Sequence, residues 1–315
     1  MRTVGAGKYT YKEIKGWGKF PDGWTNFDIA AVGVDSRDRV LAFARTKSGG
    51  CVLTFAPDGA LLNMWGDGLF KRAHGLFIDQ QDHVLCTDDT GQAVFIFTLQ
   101  GELLHKIEPA LFRFPTNAAS APDGNIFVSD GYGNARVHKF APDGRLLLSW
   151  GSPGAGPGQF DIPHSVCIGQ DGRVFVADRM NSRIQIFDPQ GAYLCEWQGV
   201  RRPDDLCFDA EGTVYVAELG YVMQGAAGQW QPVSGAIPPR ITIRNPGGEI
   251  LAEWEAEDPQ SADLFYAPHS VALNSRGDLF VSDVQEGYSG NRSKMTHPGL
   301  DKYEPVGVQP NAPTH

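Results

Sequence analysis

GRVFVAD, residues 172–178, followed by SRIQIFDPQGAYLCEWQ, residues 182–198, decides how the whole chain is read. The first stretch is a turn glycine, an apolar strand and a terminal acid. The second is a hairpin of two strands turning at PQG, with its outer strand ending in Trp197. Alternating or continuous apolar runs of this length, bounded by Gly, Pro and Asp, are β-strands rather than helices.

Five more copies of the first stretch lie at residues 38–44 (DRVLAFA), 82–88 (DHVLCTD), 124–130 (GNIFVSD), 212–218 (GTVYVAE) and 277–283 (GDLFVSD). The hairpin recurs as ARVHKFAPDGRLLLSWG, residues 135–151, and the terminal tryptophan recurs at Trp65, Trp150 and Trp254. Six copies of a unit that cannot bury both its faces alone predict a ring of stacked sheets, an all-β, six-bladed β-propeller of NHL-type repeats. The repeated apolar strand is expected to be the inner strand of each blade.

The last copy has no clear outer strand after Asp283, whereas YTYKEIKGWG, residues 9–18, is an outer strand with no inner one before it. Pairing them would close the ring with the N-terminal strand and leave no unpaired sheet edge. Residues 1–290 are therefore expected to form a single propeller and 291–315 a C-terminal tail. The fifth blade carries LGYVMQGAAGQWQPVSGAIPP, residues 219–239, an insertion expected to be a longer hairpin or a lid over one face.

Ten residues before the first apolar residue of each repeated strand stand Ala30, His74, Thr116, His164, Asp204 and His269. Every second blade supplies a histidine. Alternate blades of a six-fold ring are about 120° apart, so equivalent positions meet at the axis. Three neutral imidazoles there match a catalytic zinc site, with a fourth position open to water or substrate. Asp204 and Thr116 occupy the same register and are expected to line the channel. Past the repeated strands, Arg45, Tyr132 and Arg179 lie within one residue of equivalent positions and could reach the same face. Asp130, Asp178 and Asp283 are expected to cap turns, and His83, His105, His138, His297 and His315 to lie at the surface.

The formal net charge of −10 and the absence of any long Lys/Arg run exclude the electrostatic footprint of a nucleic-acid binder. No apolar run reaches the roughly 18–20 residues that span a bilayer, and residues 1–18 lack the apolar core of a signal peptide. Neither a membrane nor a nucleic acid is expected as partner, and the expected location is cytoplasmic. Five cysteines without a CxxC pair are expected to be reduced thiols, mostly buried. The partner expected is a small-molecule or short peptide-like substrate; oligomeric state is not readable.

GSPGAGPGQFDIPHSVCIGQDGRVFVADRMNSRIQIFD (151–188) and NIFVSDGYGNARVHKFAPDGRLLLSWG (125–151) closely resemble the peptidyl-α-hydroxyglycine α-amidating lyases, and the similarity runs from about residue 25 to 285. The resemblance implies a six-bladed NHL propeller holding one Zn²⁺ on three histidines and splitting a carbinolamide into an amide and glyoxylate. It puts the zinc ligands at His74, His164 and His269, the functional tyrosine at Tyr132 and the two arginines at Arg179 and Arg45. The family's Ca²⁺ uses an aspartate directly after the last zinc histidine, and Ser270 stands there instead. A methionine is replaced by Ala267, and a cysteine of secreted members by Gly133.

The leading expectation is a zinc-dependent lyase acting on the C–N bond of an N-(α-hydroxyalkyl) amide or carbinolamine, with Tyr132 as acid/base and Arg45 and Arg179 positioning the substrate. Two alternatives use the same chain differently. One is a metal-dependent hydrolase of an amide, ester or lactone, and the other is a non-enzymatic NHL binding module.

Overall fold

The structure, a computed structural model, describes residues 2–24, 27–224, 231–255, 264–284 and 299–307. All regular structure among them is β-strand. The strands form six antiparallel sheets arranged around one axis as blades, plus a separate two-stranded hairpin. The protein is a six-bladed β-propeller.

Within each of blades one to five the strands run outward in chain order. Blade two, for example, comprises Ala73–Ile78, Val84–Asp88, Ala93–Phe97 and Leu103–Ile107. The repeated apolar strand is thus second from the axis, where sequence had placed it innermost. It is buried throughout in all six blades because neighbouring blades cover both its faces, so it has the strongest apolar pattern. The innermost strand faces the channel along one edge and reads more weakly.

The terminal acid of that second strand ties the blade together. Asp88 accepts hydrogen bonds from the backbone N–H groups of Lys71 and Arg72, and Asp130 accepts from Arg113. Asp178 accepts from Asp161, Glu218 from Arg201, and Asp283 from Tyr266 and Ala267. In five blades, therefore, a buried carboxylate holds the segment entering the innermost strand. This keeps the ten-residue spacing to the channel position constant, and it refines the expected turn-capping role of Asp130, Asp178 and Asp283.

Between blades the core is apolar, and each outer tryptophan closes its rim. Trp150, on blade three, packs on Phe187 of blade four with ring centroids 5.8 Å apart. Gly191, in the outer hairpin of blade four, lies directly over the same indole.

Blade six combines both ends of the described chain. Its order from the axis is Pro268–Leu273, Leu279–Asp283, Leu300–Pro305, Tyr9–Ile14 and Thr3–Ala6. The N-terminal strand closes the ring as expected. The expected tail needs correcting, because Leu300–Pro305 is the third strand of this blade and pairs with strands on both sides. It has to be there: without it Tyr9–Ile14 would have no ladder partner toward the axis. Tyr303 is buried within it and packs on Trp254 of blade five.

The insertion forms the hairpin Tyr221–Gln224 and Gln231–Ile237. At its base, Leu219 and Ala236 join the apolar cluster that also holds Tyr266 and Ala267, just before the innermost strand of blade six. All five cysteines are free thiols, and Cys195, on an outer strand, is exposed. His138 departs from expectation: it is buried on blade three, against Ser149 Oγ at 2.7 Å and Asp130 Oδ2 at 3.4 Å. His297 and His315 lie outside the described residues. No described helix is long and apolar enough to cross a membrane.

Candidate metal centre

His74, His164 and His269 sit on the innermost strands of blades two, four and six, buried and facing the axis. Sequence had placed them in turns leading into such strands; they are the second residue of the strand itself. One ligand nitrogen from each lies within 4.8 Å of the others. A tetrahedral zinc ion with Zn–N bonds of about 2.0–2.1 Å needs its nitrogens about 3.4 Å apart, a short inward movement from this arrangement.

The same device orients all three rings. His74 Nδ1 lies 2.6 Å from the carbonyl oxygen of Thr116, His164 Nδ1 2.8 Å from that of Asp204, and His269 Nδ1 2.6 Å from that of Ala30. Each carbonyl belongs to the equivalent residue of the next blade. A carbonyl only accepts, so each Nδ1 carries the proton and each Nε2 presents a lone pair to the axis. Half of the six register positions thus supply rings, and the other half supply the acceptors that aim them.

Tyr132, in the turn after the second strand of blade three, places its hydroxyl 2.9 Å from His74 Nε2 and 3.0 Å from His164 Nε2. Two lone-pair nitrogens face one hydroxyl that has a single proton to give. The set is rich in acceptors and short of protons, which is the chemistry of a cation site. Burial, reinforced by neighbouring charges, holds all three histidines well below the usual imidazole range, so they stay neutral. The residues present fit a zinc ion.

Three guanidinium groups surround the cluster, each steadied by a buried aspartate. Arg45 donates from Nε to the carbonyl of Ala73 at 3.1 Å and reaches Asp28 at 3.5 Å. Arg179 reaches Asp204 at 3.4 Å, and its guanidinium carbon lies 5.3 Å from the centre of the Tyr132 ring. Arg179 Nε and Asp204 Oδ2 are buried without a hydrogen-bond partner. Burial pushes the Asp204 carboxyl up to about 7, against the opposing pull of Arg179. Arg72, which sequence reasoning passed over, pairs with Asp89 at 2.7 Å and lies 5.9 Å from the Tyr132 ring centre. It stands two residues before His74, where the equivalent positions on the other blades are Asp28, Phe114, Ile162, Arg202 and Ala267, so the register carries no signal for it.

All six expected catalytic and metal residues therefore gather at one end of the channel. Asp204 lines it beside Arg179, whereas the Thr116 hydroxyl turns into the blade interface and bonds the Pro163 carbonyl at 3.0 Å. The next level of the channel carries Asn117, Ser165, Asp205 and Ser270. Ser165 Oγ donates to Asp205 at 2.6 Å, and Asn117 Nδ2 to Ser165 at 2.7 Å. Asp205, the one carboxylate of this ring, also accepts from the Val271 N–H. A calcium ion needs six to eight oxygens, several of them charged. These residues do not fit one.

An NHL repeat is recognised over residues 160–187. The chain is 38% identical over 262 residues to peptidyl-glycine alpha-amidating monooxygenase A of Xenopus laevis, covering 77% of this chain and 27% of that protein. It is 33% identical over 139 residues to a probable peptidyl-alpha-hydroxyglycine alpha-amidating lyase of Caenorhabditis elegans, covering 40% of each. Among solved structures, a streptogramin B lyase superposes with a TM-score of 0.62 at 12% identity, covering 94% of this chain and 97% of that one. The last likeness concerns the fold alone. Fold and repeat together define the class, an NHL-repeat β-propeller. Within that class the chain is a relative of the peptidyl-α-hydroxyglycine α-amidating lyases, and it spans less than half the length of these two relatives.

Proposed function

We propose that this protein is a zinc-dependent carbon–nitrogen lyase acting on N-(α-hydroxyalkyl) amides whose hydroxyl-bearing carbon carries a carboxylate. The observation that carries the reading is the convergence of three lone-pair imidazole nitrogens at the axis, two of them facing one tyrosine hydroxyl, within a ring of anchored guanidinium groups.

In such a substrate, R–CO–NH–CH(OH)–COO⁻, the hydroxyl loses its proton, its oxygen forms a C=O bond, and the C–N electron pair leaves with nitrogen. Nitrogen takes up one proton, giving R–CO–NH₂ and OHC–COO⁻. Zinc on His74, His164 and His269 would supply a Lewis acid that favours ionisation of the hydroxyl. Tyr132, beside the ligand nitrogens, carries the proton from that hydroxyl to the departing nitrogen. Arg45 and Arg179, recessed beside the histidines, hold the carboxylate and orient the reacting carbon.

The test is zinc-loaded protein with N-acetyl-α-hydroxyglycine in ¹⁸O-labelled water. Release of acetamide and glyoxylate, abolished by chelation, supports a lyase. Labelled acetate would instead identify an amide hydrolase, and no turnover at all would remove the carbinolamide reading.

A further inference from the structure

We propose that Arg72 is a second anion-recognition point at the mouth of this centre, and that the natural substrate bears a negative group on its acyl side as well as the carboxylate beside the hydroxyl. The inference rests on the lyase reading and narrows its substrate class.

The arginines differ in depth. Arg45 and Arg179 are 16% and 14% exposed, close against the ligand strands, whereas Arg72 is 46% exposed. Exposed arginines are ordinarily free to swing. This one is held, because its partner Asp89 is only 2% exposed and is itself fixed by the Thr90 N–H at 2.6 Å and hydroxyl at 3.1 Å. Its own backbone N–H is clamped by Asp88 at 3.0 Å. Asp89 engages one end of the guanidinium, at Nη2, and a planar five-donor fork has further N–H groups to offer an anion.

Position gives the fixed charge its meaning. Tyr132 has two guanidinium carbons near its ring, Arg72 at 5.9 Å and Arg179 at 5.3 Å, while its hydroxyl contacts His74 and His164. Arg72 therefore stands one aromatic ring away from the reacting position, on the open side. The fourth cation of this mouth, Arg202, is taken up by the Tyr221 ring of the hairpin at 3.9 Å. Each of the three arginines keeps guanidinium N–H groups beyond the one its aspartate engages, so an anion at this mouth meets donors already in place rather than a net positive field. A substrate with a single carboxylate is answered by the recessed pair, which leaves Arg72 for a second negative group a few bonds beyond the amide carbonyl.

The experiment compares N-succinyl-α-hydroxyglycine with N-acetyl-α-hydroxyglycine on zinc-loaded wild type, Arg72→Met and Arg72→Lys. The readouts are the ratio of the two kcat/KM values and calorimetric binding of succinamate, the amide product of the longer substrate. Wild type is expected to prefer the succinyl compound by roughly tenfold or more, the scale of one hydrogen-bonded charge pair. The preference should collapse toward unity in Arg72→Met and survive in part in Arg72→Lys, with succinamate binding following the same order. Equal turnover of both compounds by wild type, or a preference that persists in Arg72→Met, overturns the role of Arg72 and leaves the lyase reading standing. Failure of wild type to turn over either compound overturns both.

Discussion

His269 Nδ1 and the carbonyl oxygen of Ala30 meet at 2.6 Å across the seam where the last blade joins the first. The candidate metal centre and the closure of the ring therefore share a residue, and an ion held by all three histidines would tie blades two, four and six together through the axis.

Zinc is accordingly expected to stabilise the fold by mass action, by about 4 kcal/mol when free zinc exceeds Kd a thousandfold. Elemental analysis should find about one zinc per wild-type chain. His269→Ala should lose the ion and, with it, the zinc-dependent rise in melting temperature. A variant that kept both would show that the three rings do not act as one ligand set.

Acidity should act on the same rings. Each histidine has its folded pKa pushed well below the ordinary 6.5, first by burial and then by neighbouring positive groups. Below pH 6.5 the unfolded chain thus binds protons at these positions that the folded metal-free protein refuses. Stability rises with pH wherever the unfolded state binds more protons, so their contribution is fully present above 6.5 and is lost as pH falls from there toward the folded values. Three protons correspond to a slope of at most about 4 kcal/mol per pH unit. Urea melts of chelated protein from pH 7.5 to 5 should show this loss, and a variant with all three histidines replaced by glutamine should show much less of it.

The six copies and the histidine register were legible because a carboxylate at a fixed place in five of the six repeats holds the entry to the innermost strand, so spacing in sequence is spacing in space. Radial order was not legible, since the most apolar strand is the doubly covered one and not the one at the axis. Leu300–Pro305 escaped notice because its partners are the two halves of a blade drawn from opposite ends of the chain. Its own LDKYEP pattern has no repeat around it. His138 reads as a surface residue on an outer hairpin, yet the Asp130 that clamps blade three also lies 3.4 Å from its ring. Arg72 escaped because its register position holds a different kind of residue on nearly every blade, so no periodicity marks it.

Tyr132→Phe removes one hydroxyl and leaves the ring between Arg72 and Arg179. If this hydroxyl carries the proton, kcat on N-acetyl-α-hydroxyglycine should fall by about 10²–10⁴-fold, the usual worth of a positioned acid/base group. Zinc content and melting temperature should stay close to wild type, because the Nδ1 bonds that aim the histidines are untouched. A loss of zinc equal to the loss of rate would instead make the tyrosine part of the ion's own binding site.

At the rim, Gly191 has φ +80°, and a β-carbon there would lie 2.9 Å from the Trp150 indole. Gly172, in a hairpin turn of the same blade, has the same φ of +80°, but a β-carbon there would meet only Pro189, at 3.8 Å. Alanine at either site bears the left-handed backbone penalty of roughly 1–2 kcal/mol. Only at Gly191 must the indole also move, and overpacking of that kind adds about 1–3 kcal/mol. Gly191→Ala is therefore expected to lower the urea midpoint more than Gly172→Ala, with unchanged m values and unchanged zinc content in both. Equal midpoints would mean that the tryptophan rim yields freely and that the blades are held together mainly by the innermost strands and the ring closure.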